Sequence, residues 1–226
     1  MRALLAIALP LLLLLAGAGA SEPIEAAGGA EVLIEDFRDA KSFYEKWKIK
    51  KWDSVVQLSF LKEGTEPFLR LICDNASWAF LHKLEVDLEQ TPLLTWSWRA
   101  DVLPSGGDGR HAATEDEAAQ MYVFFPGAGA FPRLNPRIVG YTWETVPEPG
   151  TRYVSPKNEN TRVFVLRNAK DGLGVWRREE RDVAADFFKA FGAPPPKPDA
   201  ICFQIDSTDT ATKAESCFAD IRCRSR

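Results

Sequence analysis

Eleven short runs rich in β-branched and aromatic residues, with Gly, Pro, Asn and Asp in the segments between them, constrain this chain more than any other feature. They fall at 31–37, 54–60, 68–74, 79–87, 93–101, 120–126, 138–144, 161–167, 173–178, 200–206 and 216–223. Runs of this length between turn residues read as strands. Many short strands with few helices predict an all-β, two-sheet antiparallel sandwich, with a jelly roll as the expected topology and a closed barrel as the alternative. Thr95-Trp96-Ser97-Trp98-Arg99 alternates strictly, which puts both tryptophans on one face, toward the core. Two short peripheral helices are expected, at 39–46 and 182–191. In the second, Asp182 is placed to cap, Phe187, Phe188 and Phe191 form an apolar stripe, and Gly192 ends the run.

The first twenty residues, MRALLAIALPLLLLLAGAGA, read as a signal peptide. One Arg precedes a leucine-rich stretch, and Ala18-Gly19-Ala20 fits the small-residue cleavage rule, with an uncleaved anchor as the alternative. Residues 21–226 are then expected to form one domain without a membrane span, periplasmic or secreted. The net charge is −4 and no Lys/Arg cluster stands out, so a nucleic-acid partner is not expected. An exported chain meets an oxidising compartment. Cys73, Cys202, Cys217 and Cys223 are therefore expected to give one or two disulfides, one of them tying the final strands; the spacing does not choose among three pairings. The absence of a CxxC pair, with only His82 and His111 elsewhere, argues against a zinc site.

Several segments, in order and across nearly all of residues 21–226, resemble a family of bacterial exported proteins, domain of unknown function 3047. They are Leu33–Phe37, Leu94–Arg99, Glu115–Val123, Gly140–Trp143, Arg181–Phe187, Asp206–Thr210 and Phe218–Ile221. The pattern departs from the family at Glu115-Asp116, where paired aspartates are expected, and at Gln120, where Arg is. The resemblance implies export and a β-sandwich, and no activity. A looser likeness, to carbohydrate-binding jelly rolls of galactose-binding-like or concanavalin-like kind, rests on Glu35-Asp36-Phe37, Trp47 and Asp220. It is a likeness of fold, and fold does not fix function.

Four constellations are candidates for chemistry. Glu35, Asp36 and Asp220 would meet if the first and last strands pair, and would suit a structural calcium ion. Tyr141, Trp143 and Trp176 are the candidate aromatic platform for a ligand, with Glu115 and Asp116 as its polar rim; seven tryptophans exceed what one small core needs. Glu85, Asp87 and Glu89 alternate as in the catalytic strand of retaining glycosidases, or simply face solvent on a strand edge. Asp206 to Thr210 reads as an Asx-turn cluster, because it lacks the Gly and distal Glu of a calcium loop. No nucleophile elbow, P-loop, dinucleotide fingerprint or HExxH is present. The function expected is an exported, non-catalytic binding module of the cell envelope, for a glycan or an envelope protein. The alternatives are a glycoside hydrolase or lyase using Glu85, Asp87 and Glu89, and an envelope interaction protein with no small ligand.

Overall fold

The computed structural model describes residues 29–127 and 132–226; the expected leader at 1–20 lies outside them. In chain order the elements are β1 (Glu31–Glu35), α1 (Ala40–Lys46), β2 (Lys48–Asp53), β3 (Gln57–Glu63), β4 (Glu66–Asp74), β5 (Ala76–Lys83), β6 (Leu93–Val102), β7 (Ala119–Phe125) and β8 (Arg137–Trp143). There follow β9 (Arg152–Val154), β10 (Thr161–Arg167), β11 (Arg177–Asp182), α2 (Val183–Phe191), β12 (Ala200–Asp206) and β13 (Lys213–Arg224).

Six strands form one sheet in the order β11-β6-β13-β4-β3, with β1 pairing with β13 beyond the end of β4. Seven form the other, in the order β2-β5-β12-β7-β8-β10-β9. The chain passes between the sheets at β1–β2, β2–β3, β4–β5, β5–β6, β6–β7, β10–β11, β11–β12 and β12–β13, crossing repeatedly as a jelly roll does. Each strand contributes alternate residues to one shared core. Trp96 and Trp98 of β6 meet edge to face at 5.2 Å and pack on Tyr141 and Trp143 of β8. Toward the other end Phe80, Phe203 and Phe218 stack at 4.7 and 4.8 Å, with Trp47 against Phe203. Such aromatic pairs each add roughly 0.5–1.5 kcal/mol beyond area burial.

Both helices stand where expected. Asp39 caps α1 through Lys41 N–H, and Asp182 caps α2 through Ala185 N–H. Gly192 closes α2 in the left-handed conformation, φ 71°, which costs a residue without Cβ little.

The expected two-sheet sandwich is present, with one parallel pair, β10 with β8, among antiparallel ones, and two narrower expectations fail. Residues 144–160 return along the sheet, and β9 fills the outer position antiparallel to β10. Strand 79–87 stops at Lys83, and Asp87 instead builds a turn: its carboxylate accepts Glu89 N–H and its carbonyl accepts Thr91 N–H. No disulfide forms; Cys73, Cys202, Cys217 and Cys223 are all buried free thiols. Cys217 and Cys223 are six residues apart on β13, but Asp220 sits in a bulge with φ 48° that reverses the alternation. Cys217 therefore contacts Arg99 and Asp101, while Cys223 joins the core.

Candidate functional site

The outer face of the seven-stranded sheet carries the candidate site. On β7, Met121, Val123 and Phe125 enter the core, so Gln120, Tyr122 and Phe124 project outward. In register, Gln120 lies between Gln204 of β12 and Thr142 of β8, and Tyr122 lies between Cys202 and Gly140. A Cβ on Gly140 would fall 2.6 Å from the Tyr122 ring, so the ring rests against the β8 backbone because residue 140 has no side chain. On the edge strand β2, Lys48, Lys50 and Trp52 stand opposite Leu81, Ala79 and Ser77.

These outward residues make a second apolar cluster: Ala79, Leu81, Phe124, Ile138 and Cys202 are buried, and half-buried Trp52 and Tyr122 pack against them. The result is an apolar floor, low at Ala79 and Cys202, flanked by two aromatic rings. Tyr122 directs its hydroxyl to Gln120 Oε1 at 2.7 Å. Burial lowers the Lys50 pKa, against the raising effect of Cys202, and among the described residues its ammonium has no ion-pair partner.

Beside this face, at the ends of β7, β8 and β12, the connecting loops bury a group of carboxyls. Glu115 receives the Ser155 hydroxyl on Oε1 and leaves Oε2 without a hydrogen bond, 3.7 Å from Lys157 Nζ. Lys157 also pairs with Asp209. Asp116 accepts the backbone N–H of Asp209 and of Thr210, tying the loop after β12 to the loop before β7. Asp206 accepts both N–H and hydroxyl of Thr208, as the Asx-turn reading requires. Burial pushes the pKa of Glu115 and of Asp206 up to about 7.

Glu117 and Glu144 share one hydroxyl. Tyr153 Oη is 2.6 Å from Glu144 Oε1 and 3.4 Å from Glu117 Oε1. A phenol donates one proton. Glu144 has two further donors, Thr142 Oγ1 at 3.0 Å and Gly109 N at 3.3 Å; Glu117 has no other donor among the described residues. Glu144 is therefore the carboxyl that receives the Tyr153 proton, and burial raises its pKa as it does that of Glu117. Burial first, then the charges of Glu144 and Glu115, raise Glu117 well above the usual carboxylate range. The loop before β7 closes over the pair: a Cβ on Gly109 would lie 1.9 Å from Tyr153 Oη.

The expected site residues divide. Glu115 and Asp116 are brought together, in this buried group rather than on a rim. Tyr141 and Trp143 are no platform: both are fully buried, with Tyr141 Oη on Asp186 and Trp143 Nε1 on the Asn168 carbonyl. Both lie on the core face of β8. Trp176 is half-exposed but lies against Phe68 and Glu63 of the other sheet. β1 and β13 do pair, yet Glu35 turns inward to accept Phe37 N–H and Trp47 Nε1–H, while Asp220 pairs with Arg178 and Arg222 and Asp36 with Arg38. Among the described residues no three His, Cys, Asp or Glu side chains are set to hold a metal ion. Glu85 is exposed and paired with Lys83, and it does not share a strand with Asp87 and Glu89. Sequence reasoning missed Trp52, Tyr122, Glu144, Tyr153 and Lys157. Gly140 alone on its strand, among large neighbours, is the signal that something packs against the β8 backbone.

The profile of the family described as "Protein of unknown function (DUF3047)" matches residues 43–222. No curated protein matches the chain. Similar solved structures include the family 11 carbohydrate-binding module of the cellulase Lic26A-Cel5E of Clostridium thermocellum, at 9% identity and TM-score 0.46 over 88% of this chain and 97% of that one. The family 30 module of Cel9D-Cel44B of the same organism gives 11% and 0.43 over 88% and 95%. The xyloglucanase domain of NopAA from Sinorhizobium fredii gives 8% and 0.43 over 80% and 93%. Likeness of this degree goes no further than the two-sheet layout, which the strand pairing establishes by itself.

Proposed function

The chain belongs to the DUF3047 family, and on that premise we propose that it is an exported glycan-binding module whose ligand lies along the outer face of the seven-stranded sheet. The observation that carries this reading is the pair of half-exposed rings, Trp52 and Tyr122, packed against one apolar floor on the outer face of the sheet. A sugar presents a face of C–H groups to an aromatic ring and hydroxyls at its edge. Three strand spacings of about 4.8 Å separate β2 from β7, and Trp52 stands level with Asp206 while Tyr122 stands level with Cys202, four residues along, so the two positions lie roughly 20 Å apart on a diagonal of the sheet. Lys50, two residues from Trp52 on the same edge strand, is a donor to sugar hydroxyls beside that ring.

The test is a thermal-shift and calorimetric screen against soluble polysaccharides and oligosaccharides. Binding to the native state alone raises Tm by mass action. A glycan is expected to raise Tm, and the shift is expected to vanish in Tyr122→Ala and Trp52→Ala. Absence of a shift with every glycan, or a shift that survives both substitutions, would sink the reading and favour a protein partner in the envelope.

A further inference from the structure

We propose that the open edge between the two sheets, remote from the groove, is a second site that binds an oxyanion, a phosphate or carboxylate group on a small molecule. A cleft of about 450 Å³ opens there, within the usual range for small-ligand sites. Four cationic side chains reach it from four separate elements: Arg152 from β9, Arg167 from β10, Arg181 from β11 and Lys189 from α2. Phe164 and Leu166 lie under them.

Three of the cations are fixed in place from behind. Arg167 grips Glu179 through Nε and one Nη at 2.7 and 3.2 Å and reaches Asp171 with the other. Arg181 grips Asp186 through Nε and one Nη, both at 2.8 Å. Asp186 is almost fully buried, also accepts the Tyr141 hydroxyl, and faces Lys189 at 3.5 Å. The second Nη of Arg181 has no acceptor among the described residues. Arg152 is exposed and has neither a hydrogen-bond nor an ion-pair partner among them.

Four cations thus face three carboxylates, and the uncompensated charge sits at the mouth of the cleft. A guanidinium already oriented by a carboxylate behind it loses little freedom when it meets an anion in front. The planar fork of Arg152 suits two oxygens of a carboxylate or phosphate. The proposal stands apart from the glycan reading: it uses no groove residue, and either can fail alone.

The test is titration of the purified protein with inorganic phosphate, with glucuronate and with glucose, following heat and the backbone amide NMR signals of residues 150–152 and 164–167. Phosphate or glucuronate is expected to bind and glucose to move nothing in these segments. Binding of phosphate alone identifies a phosphoryl ligand, and of glucuronate alone an acidic sugar. Arg152→Glu and Lys189→Glu are each expected to weaken binding at least tenfold. Lys62→Glu, the same charge change on the far strand β3, is expected to leave it within twofold. Failure of both anions at millimolar concentration would overturn the proposal, as would equal weakening in all three variants, which is general charge repulsion.

Discussion

Among single residues, Glu115 and Asp206 most visibly tie stability to pH. Each has a folded-state pKa near 7, against an ordinary value near 4, because burial disfavours the charged form. A pKa raised by folding gives stability that is complete below the unfolded value and is lost as pH rises through the folded one. Tm is therefore expected to fall between pH 5 and 8. For Glu115 alone the loss is about 3 kcal/mol, at about 1.4 kcal/mol per unit. Glu115→Gln should flatten the upper part of that profile, and calorimetric scans across the range check it; an unchanged slope would contradict the assignment. In the opposite sense, Asp108 is held low by its hydrogen bond from Arg110, and Asp182 by Ala185 N–H and Arg226 against the effect of burial. What these carboxylates contribute is lost as pH falls, so the optimum lies on the mildly acidic side of neutral. Gly109 is the other residue with a sharp expectation. Gly109→Ala would drive a methyl into Tyr153 Oη and into Glu117 Oε1, 2.4 Å away. A cost of about 1–3 kcal/mol is expected, read as a drop in Tm of roughly 2–4 °C per kcal/mol. Of these residues the acidic run Glu115–Glu117, the Asx-turn residue Asp206 and the helix cap Asp182 stood out in the sequence, while Asp108 and Gly109 did not. The short reach from Gly109 to Tyr153 joins segments 44 residues apart, and no local pattern encodes it.

Elements were legible wherever periodicity and end signals agree. β10 and β12 run at 161–167 and 200–206 as expected, and both helices begin after their Asp caps. Asp182 does two jobs, capping α2 and receiving Arg226. Asp182→Ala is accordingly expected to cost about 1 kcal/mol, with faster hydrogen exchange confined to the first turn of α2. Full protection of that turn in the variant would show that packing of Val183 and Phe187, rather than the cap, holds the helix start. The elements that escaped notice are edges. β2 reads Lys-Ile-Lys-Lys-Trp-Asp and β11 reads Arg-Arg-Glu-Glu-Arg-Asp, sequences with too much charge to announce a strand. Edge strands use such charge to discourage pairing with other chains, so the feature that makes them good edges hides them. Trp52 was lost with β2, and the groove with Trp52. The aromatic platform expected at Tyr141 and Trp143 failed by one step of alternation. Both are on β8 as expected, but their face is the core face, set by Val139, Tyr141 and Trp143 meeting Trp96 and Trp98.

For the whole molecule, the free thiols carry the clearest consequence. Cys202 lies on the outer face of one sheet, Cys217 on the outer face of the other, and Cys73 and Cys223 are in the core. The thickness of the sandwich separates the first two, since packed sheets stand about 10 Å apart, and a bridge needs Cα atoms within roughly 7 Å. Burial also raises each thiol, Cys73 to about 11 and Cys202, Cys217 and Cys223 to about 12, so the nucleophilic thiolate is scarce at neutral pH. The sandwich is then held by its packed core and its two hydrogen-bonded sheets, without a covalent cross-link. Two outcomes follow for protein purified from an oxidising compartment. A reductant is expected to leave Tm within about 1 °C, where loss of a native disulfide would typically cost 2–5 kcal/mol. A thiol reagent is expected to find almost no reactive group in the folded state and four per chain after denaturation. Two thiols per denatured chain, with a Tm that drops on reduction, would mean that strand β13 or its neighbours shift register to bring a pair together. The bulge at Asp220 is a break in β13 where such a shift could begin without dragging Phe218 out of the core, so Asp220→Gly, which relieves φ 48°, should then change the extent of pairing.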